Sequence, residues 1–195
     1  MTVKEMIDQM SRLLKDSPGR KRFPPEVCIP LLNRAQDWLV DFLVTARNFH
    51  SLAPITTTKD ITPSGGVAAF PDDYFALYQD ARGNYIVEID DKVATHIKDP
   101  GLKDKLTDSS SVCYASTAHP AFYLEQGGIV PYPTTAEKVT LHYVRKPTAM
   151  EEEGHECELP VRLHRLLVWN AVEEAASMEE QTSVQGLAAK KLEVM

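Results

Sequence analysis

The chain has 195 residues, 43% of them hydrophobic and 25% charged, a balance that excludes intrinsic disorder; at this length roughly 70% of the unfolded surface can be buried without disulfide or metal staples. A formal net charge of −7 disfavours sequence-independent binding to a phosphate backbone. No run approaches the roughly 18 consecutive apolar residues of a membrane span, the amino end has no secretory pattern, and three scattered cysteines, Cys28, Cys113 and Cys157, fit a reducing compartment better than a disulfide framework.

Thr2 followed by Glu5 forms a capping box, and Val3, Met6, Ile7, Met10, Leu13 and Leu14 recur at helical spacing, which predicts a short amphipathic helix. Asp16-Ser17-Pro18-Gly19 ends it in a turn, and a basic patch, Arg20, Lys21 and Arg22, follows. Pro24 and Pro25 suit the first turn of a second helix, whose apolar positions from Leu31 through Trp38, Leu39 and Phe42 to Phe49 sweep one wide face. Pro30 either marks a later start or kinks the opening turns.

From Leu52 to about Glu158 the composition changes to short runs rich in Thr, Val, Ile and Tyr, set among most of the prolines and glycines, which reads as β-structure. The expected strands are Ile55 to Ile61, Val67 to Phe70, Tyr85 to Ile89, Ser111 to Ala115, Ala121 to Glu125, Ile129 to Tyr132 and Val139 to Val144. The last alternates most cleanly, with Val139, Leu141 and Tyr143 on one face. Gln126-Gly127-Gly128 and Gly65-Gly66 read as hairpin turns, and Lys98 to Ser111 as a long mobile loop. Pro160 opens a third helix, apolar nearly all round as far as Ala176 and therefore expected to be buried in its first half. Beyond Ser177 the pattern weakens, and Gly186 counts against a single rigid helix.

The fold class expected is α+β, with the terminal helices packed as a small bundle and a β-rich insert between the second and last long helices. The economical reading is one domain over residues 1–195, in which 1–50 and 160–195 form the helical core and 51–159 the insert.

Signals for chemistry are sparse. The chain has no G-x-G-x-x-G, G-x-x-x-x-G-K, G-x-S-x-G or H-E-x-x-H. His155-Glu156-Cys157 brings two soft ligands together, short of the three or four that zinc needs. Asp72-Asp73 and Asp90-Asp91 read as turn residues. Neither cofactor nor metal is expected, and the chain is read as no enzyme; a small hydrolase using Cys113 with His142 or His119 is the minor alternative. Arg162, His164 and Arg165 stand in the first turns of the third helix, against its positive end. They call for an acidic neighbour, either Glu151, Glu152, Glu153, Glu156 and Glu158 of the same chain or a neighbouring subunit.

Three stretches, in order, resemble the head-to-tail adaptor (connector) proteins of tailed bacteriophages. Val27 to Leu43 carries a Leu-Asn-x-Ala-Gln core at Leu32, Asn33, Ala35 and Gln36. Phe70 to Tyr78 carries an aromatic residue, Pro-Asp-Asp and another aromatic. His119 to Met150, followed by Glu158 to Ala176, looks like a closing hairpin, a connecting Leu-Pro and a long helix.

The resemblance implies a structural virion protein of the neck, made in the host cytoplasm. It would form a ring, twelvefold when assembled and monomeric alone, between the portal protein and a tail or nozzle protein, with DNA as passing cargo and no membrane. Docking to the portal or contacts between subunits would fall to Arg162, Arg165, Glu179, Glu180, Leu187, Lys190 and Lys191. Another neck or tail-completion protein is the nearest alternative.

Overall fold

The computed structural model describes residues 1–15 and 23–192; the side chains of Pro100 and of residues 179–192 lie outside that description. So do the turn at residues 16–19 and the basic patch at 20–22. The fold is mixed α and β. The chain divides into two compact units, one of Met1–Pro54 with Pro147–Met195, the other of Ile55–Lys146.

The first unit is helical: α1 (Val3–Leu13), α2 (Pro25–Thr45) and α4 (Val161–Leu192) pack on one another. The capping box of α1 forms as expected, Glu5 N donating to Thr2 Oγ1 (3.3 Å) and Thr2 N to Glu5 Oε2 (2.9 Å). Val3 N and Lys4 N, two donors that a helix start leaves unpaired, are taken by the carbonyls of His155 and Glu153. Pro30 lies inside a continuous α2, which ends at Thr45; Phe49 is buried from a following 3₁₀ turn, Phe49–Ile55. The core takes Val3, Met6, Ile7 and Met10 from α1, Leu31, Leu32, Ala35, Leu39, Val40 and Leu43 from α2, and Leu163, Leu167, Val168, Ala171 and Ala175 from α4.

Asn33 and Gln36 fasten the returning chain to α2. Asn33 Nδ2 donates to Met150 O (2.9 Å) while Met150 N donates to Asn33 Oδ1 (2.8 Å), and Gln36 Nε2 donates to Thr148 O (3.2 Å). Each side-chain amide stands in for a strand neighbour, so backbone groups that enter the interior keep partners.

The second unit is two sheets. One has the order β1 (Thr56–Ile61), β9 (Val139–Arg145), β4 (Val87–Ile89), β5 (Lys92–Val93), with β3 (Tyr74–Leu77) also pairing β9; the other runs β2 (Ala68–Ala69), β8 (Gly128–Tyr132), β7 (Ala121–Glu125), β6 (Thr95–His96). Val87, Ile89, Val139, Leu141 and Tyr143 from the first sheet share a core with Ala68, Phe122 and Ile129 from the second. β9 has neighbours on both edges, and Val144 on its opposite face is fully buried too.

Two turns follow the glycines. Gly65 and Gly66 both have positive φ inside the Ser64–Val67 bridge, and Gly127 (φ +94°) turns β7 into β8. Gly128 already belongs to β8, where a Cβ would stand 2.5 Å from Ala68 O, so only glycine lets β2 approach. Asp90 and Asp91, also at positive φ, make the β4–β5 turn.

The expected loop from Lys98 to Ser111 is instead a built connection. β6 pairs with β7 in parallel, which requires a crossover, and residues 100–107 supply it as a 3₁₀ turn (Pro100–Leu102) and a short helix, α3 (Lys103–Thr107). Leu106 anchors it beneath Ala115, Tyr123 and Tyr132. Ser111 to Ala115 is not a strand, because its amides bond locally, Ala115 N to Leu106 O and Tyr114 N to Ser111 O.

The Pro-Asp-Asp stretch explains itself here. Phe70 and Tyr74 stack with ring centroids 4.0 Å apart, and Asp73 accepts from Tyr143 Oη (2.9 Å) and, through its carbonyl, from Lys146 N (2.7 Å). Burial and that carboxylate push the Tyr143 hydroxyl up to about 12.

Candidate docking surface

α2 and α4 run antiparallel, tied near one end by Arg34 Nε to Glu174 Oε1 (2.8 Å) and near the other by Arg162 Nη2 donating to Ser51 Oγ (3.1 Å). Their inner stripes meet, but each helix has a second apolar stripe beside the first. On α2 it is Trp38 and Phe42, 49% and 53% exposed, with rings stacked at 5.6 Å; on α4 it is Leu166 and Trp169, 52% and 47% exposed. Together they wall a groove of 670 Å³ floored by Leu39 and Val172.

This corrects the expectation that the first half of α4 is buried. Val161, Arg162, Arg165, Leu166 and Trp169 are exposed, while Leu163, His164, Leu167 and Val168 are buried. Two helices on one side cannot cover a helix that is apolar nearly all round. The sequence held a signal of this: Trp38 lies four residues after Arg34 and three before Asp41, and Trp169 lies four residues from both Arg165 and Glu173, so each Trp shares its helix face with charge.

Of the residues proposed from sequence, Arg162 and Arg165 lie on α4 in the turns before the groove. Glu179, Glu180, Leu187, Lys190 and Lys191 lie along the continuation of α4, which is helical through Gly186 to Leu192; their side chains are outside the described residues. Two members of the acidic run before α4 are engaged elsewhere: Glu158 Oε2 accepts from Thr148 N (2.8 Å), and Glu152 meets His155 (3.3 Å). His164 is the surprise of that turn. It is 2% exposed, Nε2 donates to Leu159 O (2.7 Å), and Nδ1 has no partner among the described residues. Burial therefore holds its pKa below the ordinary value.

The β unit has a smaller concavity of 480 Å³ lined by Asp80, Tyr85 and Lys98 around His96, whose ring stacks on Phe122 (5.1 Å) and meets the Tyr85 ring edge-on (5.0 Å). Desolvation lowers the His96 pKa. Among the described contacts neither His142 nor His119 meets Cys113; His119 closes a turn with Ser116, its N donating to Ser116 Oγ (3.2 Å). Cys113 packs against the cluster around Leu106, whereas His142 spans strands between Thr58 Oγ1 (Nδ1, 3.2 Å) and Glu88 Oε1 (Nε2, 3.3 Å). That Thr-His-Glu row lies across a sheet and lines neither concavity. Among the described residues no group of side chains could hold a metal ion, and no helix is long and apolar enough to cross a membrane.

Residues 1–193 match the family model described as SU10 adaptor protein. No curated protein matches the chain.

Proposed function

Because the chain belongs to the SU10 adaptor protein family, a family of bacteriophage adaptors, we propose that it is a non-enzymatic neck protein that forms a ring between portal and tail around the DNA channel. The observation that carries this reading is the family match over nearly the whole chain. The long α4, with charge and exposed apolar side chains on its outer face, supports it, since such a face suits docking rather than catalysis.

In this reading the terminal helices act as a small bundle that meets the portal, and the β-rich insert makes contacts with neighbouring subunits or the tail. α4 supplies the docking element, through Arg162 and Arg165 at its start and Glu179, Glu180, Leu187, Lys190 and Lys191 toward its end. Weak contacts repeated around a closed, twelvefold ring give avidity that one subunit lacks. The passing DNA needs no base contacts.

Electron microscopy of the protein mixed with portal rings tests this directly. The expected result is an added ring on one face of the portal, and a chain truncated after Ser177 that remains folded yet fails to add it. A truncated protein that still completes particles would remove the end of α4 from the docking element. Binding to tail tubes with no binding to portals would reassign the chain to tail completion.

A further inference from the structure

The apolar groove of the helical unit is bounded by charges in a particular order. Counting along the outer face of α4 from Trp169, Arg165 stands four residues before it and Glu173 four residues after, each about 6 Å along the axis. Leu166 and Val172 stand three residues to either side, and both line the groove. The face therefore runs from positive through apolar to negative, with Trp169 at its midpoint. Neither Arg165 nor Glu173 has a charged partner among the described residues.

A face of this kind is complementary to itself under a twofold axis. Two copies laid groove to groove with their α4 helices antiparallel, the axis passing near Trp169, bring Arg165 of each copy against Glu173 of the other. Leu166 of each copy then meets Val172 of the other, Trp169 meets Trp169, and the pairing covers Trp38 and Phe42. A parallel arrangement would set Arg165 beside Arg165 and Glu173 beside Glu173, which like-charge repulsion opposes. The apolar centre with a charged rim is the composition of a protein–protein interface.

We propose that the free chain, in place of the monomer that the resemblance implies, pairs with a second copy of itself through this groove as a closed twofold dimer. Being closed, the pair cannot use this face for a head-to-tail ring contact at the same time, so the dimer is a state of the unassembled chain. The inference goes beyond the adaptor role and is read out separately, in the mass of the free protein rather than in portal binding.

Sedimentation of the full chain over a concentration series tests it. The expected result is a concentration-dependent doubling of the 21.8 kDa mass, with Trp emission shifting to the blue as the dimer forms. Arg165→Glu or Glu173→Arg each breaks two symmetric contacts and should raise the dissociation constant about tenfold. The double variant R165E/E173R should return it close to the starting value, because the swapped charges again face each other. W169D should stay monomeric with an unchanged circular dichroism spectrum. A chain that remains monomeric at its highest soluble concentration overturns the proposal. So does an oligomer that survives W169D, or a double variant no tighter than either single one.

Discussion

The helical and β units treat their large side chains in opposite ways. The β unit buries Phe122, Tyr123, Tyr132 and Tyr143, and across one sheet it sets polar pairs such as Thr58 with His142 and Thr140 Oγ1 with Asp60 Oδ1 (2.6 Å). The helical unit buries mainly aliphatic side chains, with Phe23 and Phe49 its buried aromatics, and leaves Trp38, Phe42, Leu166 and Trp169 half exposed. The difference follows from geometry. A strand offers two faces, and a side chain that leaves the core goes to the opposite one. A helix offers a continuous circumference, so an apolar stripe wider than its partners' contact reaches water. The helical unit's exposed aromatics thus line its groove, while most of the β unit's aromatics hold its core.

The sharpest way to break that comparison is to truncate one residue of each kind on α4. Leu167 is fully buried and Trp169 half exposed. Leu167→Ala is expected to cost about 3 kcal/mol of unfolding free energy, and Trp169→Ala in dilute protein less than about 1 kcal/mol, both by urea denaturation. Equal losses would mean that Trp169 belongs to the core after all.

A smaller effect tests the β unit. Tyr143→Phe keeps the buried ring and deletes the hydroxyl that donates to Asp73, for an expected loss of about 1 kcal/mol. The same hydroxyl should resist spectrophotometric titration until pH reaches about 12. A loss near zero would make the Pro-Asp-Asp contact incidental to the fold.

The smallest effect is a slope with pH. Burial depresses the His164 pKa below its ordinary 6.5, so between the folded and unfolded values the unfolded chain binds the extra proton. The His164 contribution is therefore complete above about pH 6.5 and is lost as pH falls through the folded value. His164→Leu should flatten that part of the stability profile, measured by thermal unfolding from pH 7.5 down to about 5. An unchanged slope would assign the acid sensitivity to another group.

Elements with a local cause were legible from the residues alone. The capping box from Thr2 to Glu5, the turn at Gly65-Gly66, the return at Gly127 and the alternation of Val139, Leu141 and Tyr143 are each fixed by residues within a few positions. The phage-adaptor likeness was legible in motif order, and Asn33, Gln36 and Asp73, which carry two of those motifs, fasten the returning chain and Tyr143.

Features that depend on distant partners emerge with the packing. The segment from Lys98 to Ser111 reads as a loop until β6 lies parallel to β7 and demands a crossover. Trp38 and Trp169 read as core until α1, α2 and α4 are packed, because hydrophobicity records what a side chain prefers, whereas exposure depends on how many neighbours the fold can bring to it.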